Sequence, residues 1–343
     1  MPAPKRRLLA VIFGLIVFLA LLLPYLHPHP TPRYTVTDLG VLPGDTESCA
    51  SGINNHGDIV GFSINASYTQ QQLFLVRGDR MISLGLYDSH SEYDGPAIND
   101  SGKINRKQRI GSAASPAGYE QSLPHHAVLY GGSRKVDFTL PPGWTMANLS
   151  GVNGLGQVVG TCRRLIIGSR SRAAFVYDSK TRKFLMLPLP PGFQGGGFPE
   201  GINDHGQIAG FAWQPGYINQ AVLWNAGQPV LLTGLRGMND SRAEAVNNQG
   251  EVVGTAWSEP NAAAQFVNDH NIRLQLLVPV FQKQWKNRAV VYKSGKAQDL
   301  NTLIPEDADW TLEEANSIND RGQIVGNGLH HGQQRAFLLT PVH

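Results

Sequence analysis

The sequence predicts an all-β protein, a six-bladed β-propeller of four-stranded blades, preceded by one N-terminal transmembrane or signal helix. Three observations predict it. The ten residues Gly52-Ile53-Asn54-Asn55-His56-Gly57-Asp58-Ile59-Val60-Gly61 return in recognisable form five more times. The asparagines of these copies are 45, 54, 50, 44 and 72 residues apart, close to the length of a four-stranded blade except at the last step. Thirty-eight glycines and 22 prolines accompany only 16% charged residues, the balance of many short strands joined by tight turns.

Taken in order, residues 1–26 read as a signal-anchor. Lys5, Arg6 and Arg7 precede an uncharged apolar run from Leu8 to Leu23, and no small-residue cleavage site follows, so the segment is expected to stay as an uncleaved membrane helix. The basic end then faces the cytoplasm and the remainder is extracytoplasmic, or secreted if the segment is cut. A buried core helix is the alternative. Residues 27–33 alternate proline with polar residues and form a stiff spacer, in preference to a His27/His29 metal site that lacks a third ligand. Residues 34–343 are the propeller.

Without the three anchor charges the 29 basic residues become 26 and balance the 26 acidic ones. A neutral domain gives no support for nucleic-acid binding. Cys49 and Cys162 fall in the first and third units, too far apart in the repeat to be expected to pair.

The unit explains itself physically. An apolar residue, Asn, two variable residues and Gly make a hairpin turn, because Asn bonds its own backbone two residues on and Gly takes positive φ. The later asparagines are Asn99, Asn153, Asn203, Asn247 and Asn319. A third strand follows in each unit, as in Ala174-Phe175-Val176-Tyr177 or Ala289-Val290-Val291-Tyr292, and then a short leucine-rich fourth. Continuous apolar runs such as Val158-Val159 and Val290-Val291 predict strands covered on both faces. The last unit stops after its third strand, and Tyr34 to Leu39 supplies the missing fourth, closing the ring.

Two places break the period. Between Gly102 and Gly111 lie eight residues, including Arg106, Lys107 and Arg109, where other units have three. A lengthened hairpin or a basic contact patch accounts for them. Between Gly254 and Ala289 an insertion, at about residues 258–287, is either functional or a decayed repeat.

The repeats Gly-Ile-Asn-x-x-Gly-x-Val-Val-Gly, Ala-Phe-Leu-Trp and Asp-Leu-Gly-x-Leu resemble those of the HAF-repeat extracellular proteins of bacteria, over residues 34 to 340. The resemblance implies an exported protein and brings no activity with it. The His that names the repeat survives in His126-Ala127-Val128 and is replaced by Gln220, Arg288 and Arg335.

If the Asn-bearing strand is innermost, the residues just before it surround one mouth of the channel. Those positions are Glu47, Asp94, Asn148, Glu200, Glu244, Glu313 and Glu314. A ring of carboxylates there would meet a cation, or a cationic or polyhydroxyl ligand; solvated loop charges are the competing reading. The Asn-Asp turns carry too few oxygen ligands for calcium loops, so no metal and no cofactor is expected. No nucleophile elbow, phosphate loop or dinucleotide fingerprint occurs. The sequence therefore predicts a monomeric binding or interaction module for an envelope protein, glycan or small ligand, touching the membrane through its N-terminal helix. An exported propeller enzyme acting on glycans or lactones is the alternative.

Overall fold

The computed structural model describes residues 32–86, 95–102, 104–106, 109–110, 140–142, 144, 146–166, 169–214, 218–258 and 286–342. The chain divides into two compact parts, residues 1–32 and 33–343, and the account below concerns the second. The expected anchor, the bulk of the insertion, His126 and Asp94 lie outside the described residues. No helix among the described residues is long and apolar enough to cross a membrane.

Strand β1 (Tyr34–Asp38) belongs to the last sheet. Unit one is an antiparallel sheet of β2 (Glu47–Ile53), β3 (Ile59–Ile64), β4 (Gln71–Arg77) and β5 (Arg80–Leu86). Unit two contributes β6 (Pro96–Ile98) and β7 (Ile104–Arg106), a two-stranded sheet, followed by β8 (Arg109–Ile110). Unit three holds β9 (Met146–Val152), β10 (Gln157–Ile166), β11 (Ser169–Asp178) and β12 (Lys183–Met186). Unit four holds β13 (Gly197–Ile202), β14 (Ile208–Trp213), β15 (Asn219–Asn225) and β16 (Gln228–Leu231). Unit five holds β17 (Asp240–Val246), β18 (Val252–Ser258), β19 (Lys286–Lys293) and β20 (Lys296–Asp299). Unit six holds β21 (Trp310–Ile318), β22 (Ile324–His330) and β23 (Gln333–Pro341), completed by β1 in the order β1-β23-β22-β21.

The expected ring closure is therefore present, with Tyr34 opposite Pro341 and Asp38 opposite Phe337. The expectation of six four-stranded blades is corrected: the described residues form five, and among them unit two contributes the hairpin β6–β7, its expected third strand Ala127 to Tyr130 lying outside the described residues. The reason is local. After β7 the lengthened, basic stretch leaves its own unit, and β8 pairs with the inner edge of β9, placing Arg109 opposite Asn148. That stretch lacks the apolar pair with which the other units fill two interfaces at once.

The apolar pairs elsewhere do what their pattern predicts. Val158 faces one core and Val159 the next; Val290 and Val291, and Ile324 and Val325, divide in the same way. Each blade is thus buried on both sides, and its consecutive residues seal two neighbouring seams. Trp224 and Phe337 are fully buried in these seams.

Strands β2, β9, β13, β17 and β21 each begin with residues opposite the end of the second strand and finish at the Asn turn. They contact one another from unit to unit, which places them innermost. Each carries one bulge, at Ser51, Ser150, Glu200, Glu244 and Asn316, and β21 has a second at Glu313. Opposite the bulge stands the last Gly of the repeat. A Cβ on Gly61, Gly160, Gly210, Gly254 or Gly326 would collide with the carbonyl of Cys49, Asn148, Phe198, Arg242 or Glu314. That glycine is required by close backbone approach, whereas Gly57 and Gly206, at φ 88° and 76°, are required by the turn.

Candidate functional site

The inner hairpins are joined by two rings of hydrogen bonds at the turn end. Asn Nδ2 donates to the Asn carbonyl of the next unit: Asn153 to Asn203 (2.9 Å), Asn203 to Asn247 (2.8 Å), Asn247 to Asn319 (3.0 Å), Asn319 to Asn54 (3.0 Å) and Asn54 to Asn99 (3.1 Å). The Asn Oδ1 meanwhile accepts from its own turn, as Asn54 does from the His56 and Asp58 N–H groups. One position further on, backbone N–H groups donate to the next unit's side chain, from Gly154 to Asp204, Asn248, Asp320, Asn55 and Asp100. These turns are structural: their polar groups are spent on each other.

The other end of the inner strands is chemically uneven. At the bulge, Ser51 Oγ donates to Pro96 O, Ser150 Oγ to Pro199 O, and Asn316 Nδ2 to Ala50 O, each crossing to the next unit. Units four and five place Glu200 and Glu244 at this position. An ionised carboxylate cannot donate to a carbonyl, so these two units depart from the scheme that the others share. Glu244 is half-buried and has no hydrogen-bond or ion-pair partner among the described residues.

Two residues earlier, the positions whose carbonyls abut the repeat's last Gly carry Cys49, Asn148, Phe198, Arg242 and Glu314. Burial is the main cause that pushes the Glu314 carboxyl above its ordinary range. The charges of Glu244 and Glu313 push it the same way, and Asn327 and Arg242 oppose them. Cys49 Sγ donates to Asn327 Oδ1 (3.2 Å), and Asn316 Nδ2 reaches the same oxygen (3.2 Å). Burial, with the Glu314 charge, raises the Cys49 thiol, which is therefore a poor nucleophile. Cys49 and Cys162 are free.

Arg242 lies over the rings of Phe211 (4.5 Å) and Trp257 (5.1 Å), while Arg172 covers Trp213 (5.0 Å) and Phe198 (5.7 Å). Phe198 and Phe211 stack at 4.7 Å. The Arg242 Nε is buried without a hydrogen bond, and so is the hydroxyl of Tyr292, a residue only 5% exposed. Ser241 lies beside Tyr292, and its Oγ accepts from the Ala221 N–H. Burial raises the Tyr292 phenol, the Ser241 hydroxyl opposes this, and the Glu244 charge adds to the rise.

The expected site residues thus separate. Glu244, Glu313 and Glu314 come within electrostatic reach of one another. Glu47 opens β2 and is engaged by the Tyr68 hydroxyl; Glu313 accepts from Gln334 Nε2 at 3.2 Å. Glu200 occupies the bulge of β13, and Asn148 lies in β9 opposite Thr161. These acids sit within the inner strands and not before them. Sequence reasoning missed Arg242, Tyr292, Asn316 and Asn327. Arg242 is the one with a visible signal, since it shares its repeat position with Cys49, Phe198 and Glu314, where the copies are least alike. Among the described residues, no group of three His, Cys, Asp or Glu has metal-binding geometry.

A family described as "Protein of unknown function (DUF3466)" matches residues 134–339. No curated protein matches the chain. Among solved structures, an acylaminoacyl peptidase is similar at 11% identity with a TM-score of 0.38, covering 90% of this chain and 46% of the peptidase, so the chain spans about half of that protein. A putative gluconolactonase is similar at 10% identity and TM-score 0.39, covering 90% and 94%. The β-propeller domain of the Trilobed protease from Pyrococcus furiosus is similar at 10% and TM-score 0.36, covering 90% and 85%.

Proposed function

The chain belongs to the DUF3466 family, and we propose that it is an extracytoplasmic β-propeller binding module that receives its ligand at the inner-strand wall of units five and six. One observation carries this reading: Glu244 offers a carboxylate with no described partner beside the buried carboxyl of Glu314, at a position where three other units place a hydroxyl or amide that is already used. Polar groups left uncommitted in a packed wall are costly unless something meets them. Export and tethering rest on the basic and apolar N-terminus and on the resemblance to HAF-repeat extracellular proteins.

The test is a thermal-shift screen of the full-length chain with polyamines, sugars and metal ions, repeated with Glu244→Gln and Glu314→Gln. A stabilising ligand is expected to lose at least tenfold in affinity in either variant. Equal binding in both variants would remove these residues from the site. Tethering is tested by protease digestion of intact and lysed spheroplasts, with residues 34–343 expected to be cut in both.

An exported hydrolase or lyase acting on glycans or lactones is the second reading. The raised Glu314 carboxyl beside a second carboxyl favours it, because such a group holds a proton to donate. Turnover of a lactone or glycan that falls at least a hundredfold in Glu314→Gln would establish it.

A further inference from the structure

We propose that His330 and His331 form a surface site for a divalent transition-metal ion of the copper, nickel and zinc class, bound through their two Nε2 atoms and completed by water, on the sheet that closes the ring. The site is separate from the wall of units five and six and does not rest on it.

Adjacent histidines of a strand point apart, since successive side chains take opposite faces. His330 ends β22, and His331 follows in the turn to β23 with a φ of 49°. That left-handed backbone brings the second ring back beside the first, and the imidazoles stack with centroids 4.2 Å apart and planes at 28°. On its other side His330 stacks on Trp310, its partner across the strands, at 4.6 Å and 3°. Trp310 in turn meets the buried Phe337 edge-on at 6.0 Å, so the pair of rings is seated on the core.

Each ring has its own carboxylate. His330 Nδ1 bonds to Asp38 Oδ2 at 2.7 Å, and His331 Nδ1 to Asp309 Oδ2. An ionised carboxylate only accepts, so both Nδ1 atoms carry a proton and the neutral rings keep their lone pair on Nε2. Among the described residues neither Nε2 has a hydrogen-bond partner, and neither is sealed from solvent. A carboxylate on one ring nitrogen, with the other nitrogen open, is the arrangement that orients a histidine toward a metal ion. Asp38 is itself fixed, its Oδ1 accepting from the Gly40 N–H at 2.7 Å.

The ligands select the ion. Imidazole suits copper, nickel and zinc, with copper(II) held most tightly, whereas calcium and magnesium demand oxygen. Among the described residues no third His, Cys, Asp or Glu joins the pair, so water fills the remaining positions, and the His331 side chain, 69% exposed, has room to adjust. Asp38 comes from β1, while the histidines end β22 and open the next turn. The site is therefore complete only in the closed ring, and an ion bound there stabilises the closure.

Copper(II) chloride is titrated into the full-length chain and followed by tryptophan fluorescence and electron paramagnetic resonance. The wild type is expected to bind an ion that quenches Trp310 and shows nitrogen splitting from two imidazoles. His331→Asn suits the positive φ of its turn and is expected to weaken binding at least tenfold, with one nitrogen lost. His330→Asn is expected to do the same, circular dichroism verifying its fold. Asp38→Asn keeps both nitrogens and weakens binding by about tenfold, the loss expected for a residue that positions a ligand. Trp310→Phe binds copper without that quenching, and Glu244→Gln titrates as the wild type does. Other histidines, such as His27 and His29, contribute equally to every variant, so the differences carry the result. Equal titrations of the wild type and the His330→Asn/His331→Asn double variant, or quenching that survives in the double variant, overturn the proposal. Copper binding that depends on Glu244 and not on the histidines overturns it as well, and supports the wall of units five and six instead.

Discussion

The Asn319 side-chain amide donates to the Asn54 carbonyl at 3.0 Å, across the seam where the last unit meets the first. The same amide reaches Gln323 Oε1 (2.9 Å), and its oxygen accepts from the Arg321 and Gln323 N–H groups (3.0 Å each). A side chain 4% exposed thus serves both its own turn and the closure of the ring.

Asn319→Ala leaves several buried polar groups without partners, at roughly 1–3 kcal/mol for each such group. We expect a loss of about 3 kcal/mol in urea unfolding. Asn65 makes similar turn bonds to Thr69 and Gln70, but at the surface and outside the ring. Asn65→Ala is expected to cost under about 1 kcal/mol. Equal losses would mean that the ring contributes nothing beyond its turns.

Strand β1 closes the last sheet, and Tyr34, Val36 and Leu39 pack against the cores flanking it. Deleting Tyr34 to Gly40 exposes these cores and an edge of β23. The melting temperature is expected to fall by at least about 10 °C, since each kcal/mol is worth about 2–4 °C in a domain of 150–250 residues. A deletion that melts with the parent would disprove closure by this strand.

Gly254→Ala would drive a Cβ into the Arg242 carbonyl, while Gly295→Ala meets nothing and only strains a φ of 76°. Overpacking costs about 1–3 kcal/mol or more, and the left-handed backbone of a non-glycine residue about 1–2 kcal/mol. Chemical denaturation should therefore show Gly254→Ala as the more damaging change, with the expressed protein reduced or absent.

Burial and the neighbouring charge of Glu244 raise the Glu314 carboxyl. For a group raised on folding, the stability it contributes is fully present below its unfolded pKa, about 4.3 for Glu, and is lost as pH rises through the folded value. Glu314→Gln removes that loss. Melting curves across the pH range should show the variant at least as stable as the wild type at neutral pH, with the gap closing below about pH 4. A variant clearly less stable at neutral pH would mean that the ionised carboxylate is held favourably.

What the sequence determined by itself is what repeats. The Asn and Gly of each turn and the paired apolar residues of each second and third strand are local requirements of φ, hydrogen bonding and two-sided burial, and they recur wherever the same requirement recurs. Closure by Tyr34 to Asp38 was legible too, because a missing strand at one end matched a surplus strand at the other. The tertiary structure decided three things. It decided that the repeat's last Gly is enforced by a bulge, because the carbonyl it avoids belongs to a residue twelve positions earlier. It decided that unit two gives up β8 to unit three. It also decided which acids meet: Glu244 and Glu314 are 70 residues apart, and only the packing of unit five against unit six puts one carboxyl in the field of the other.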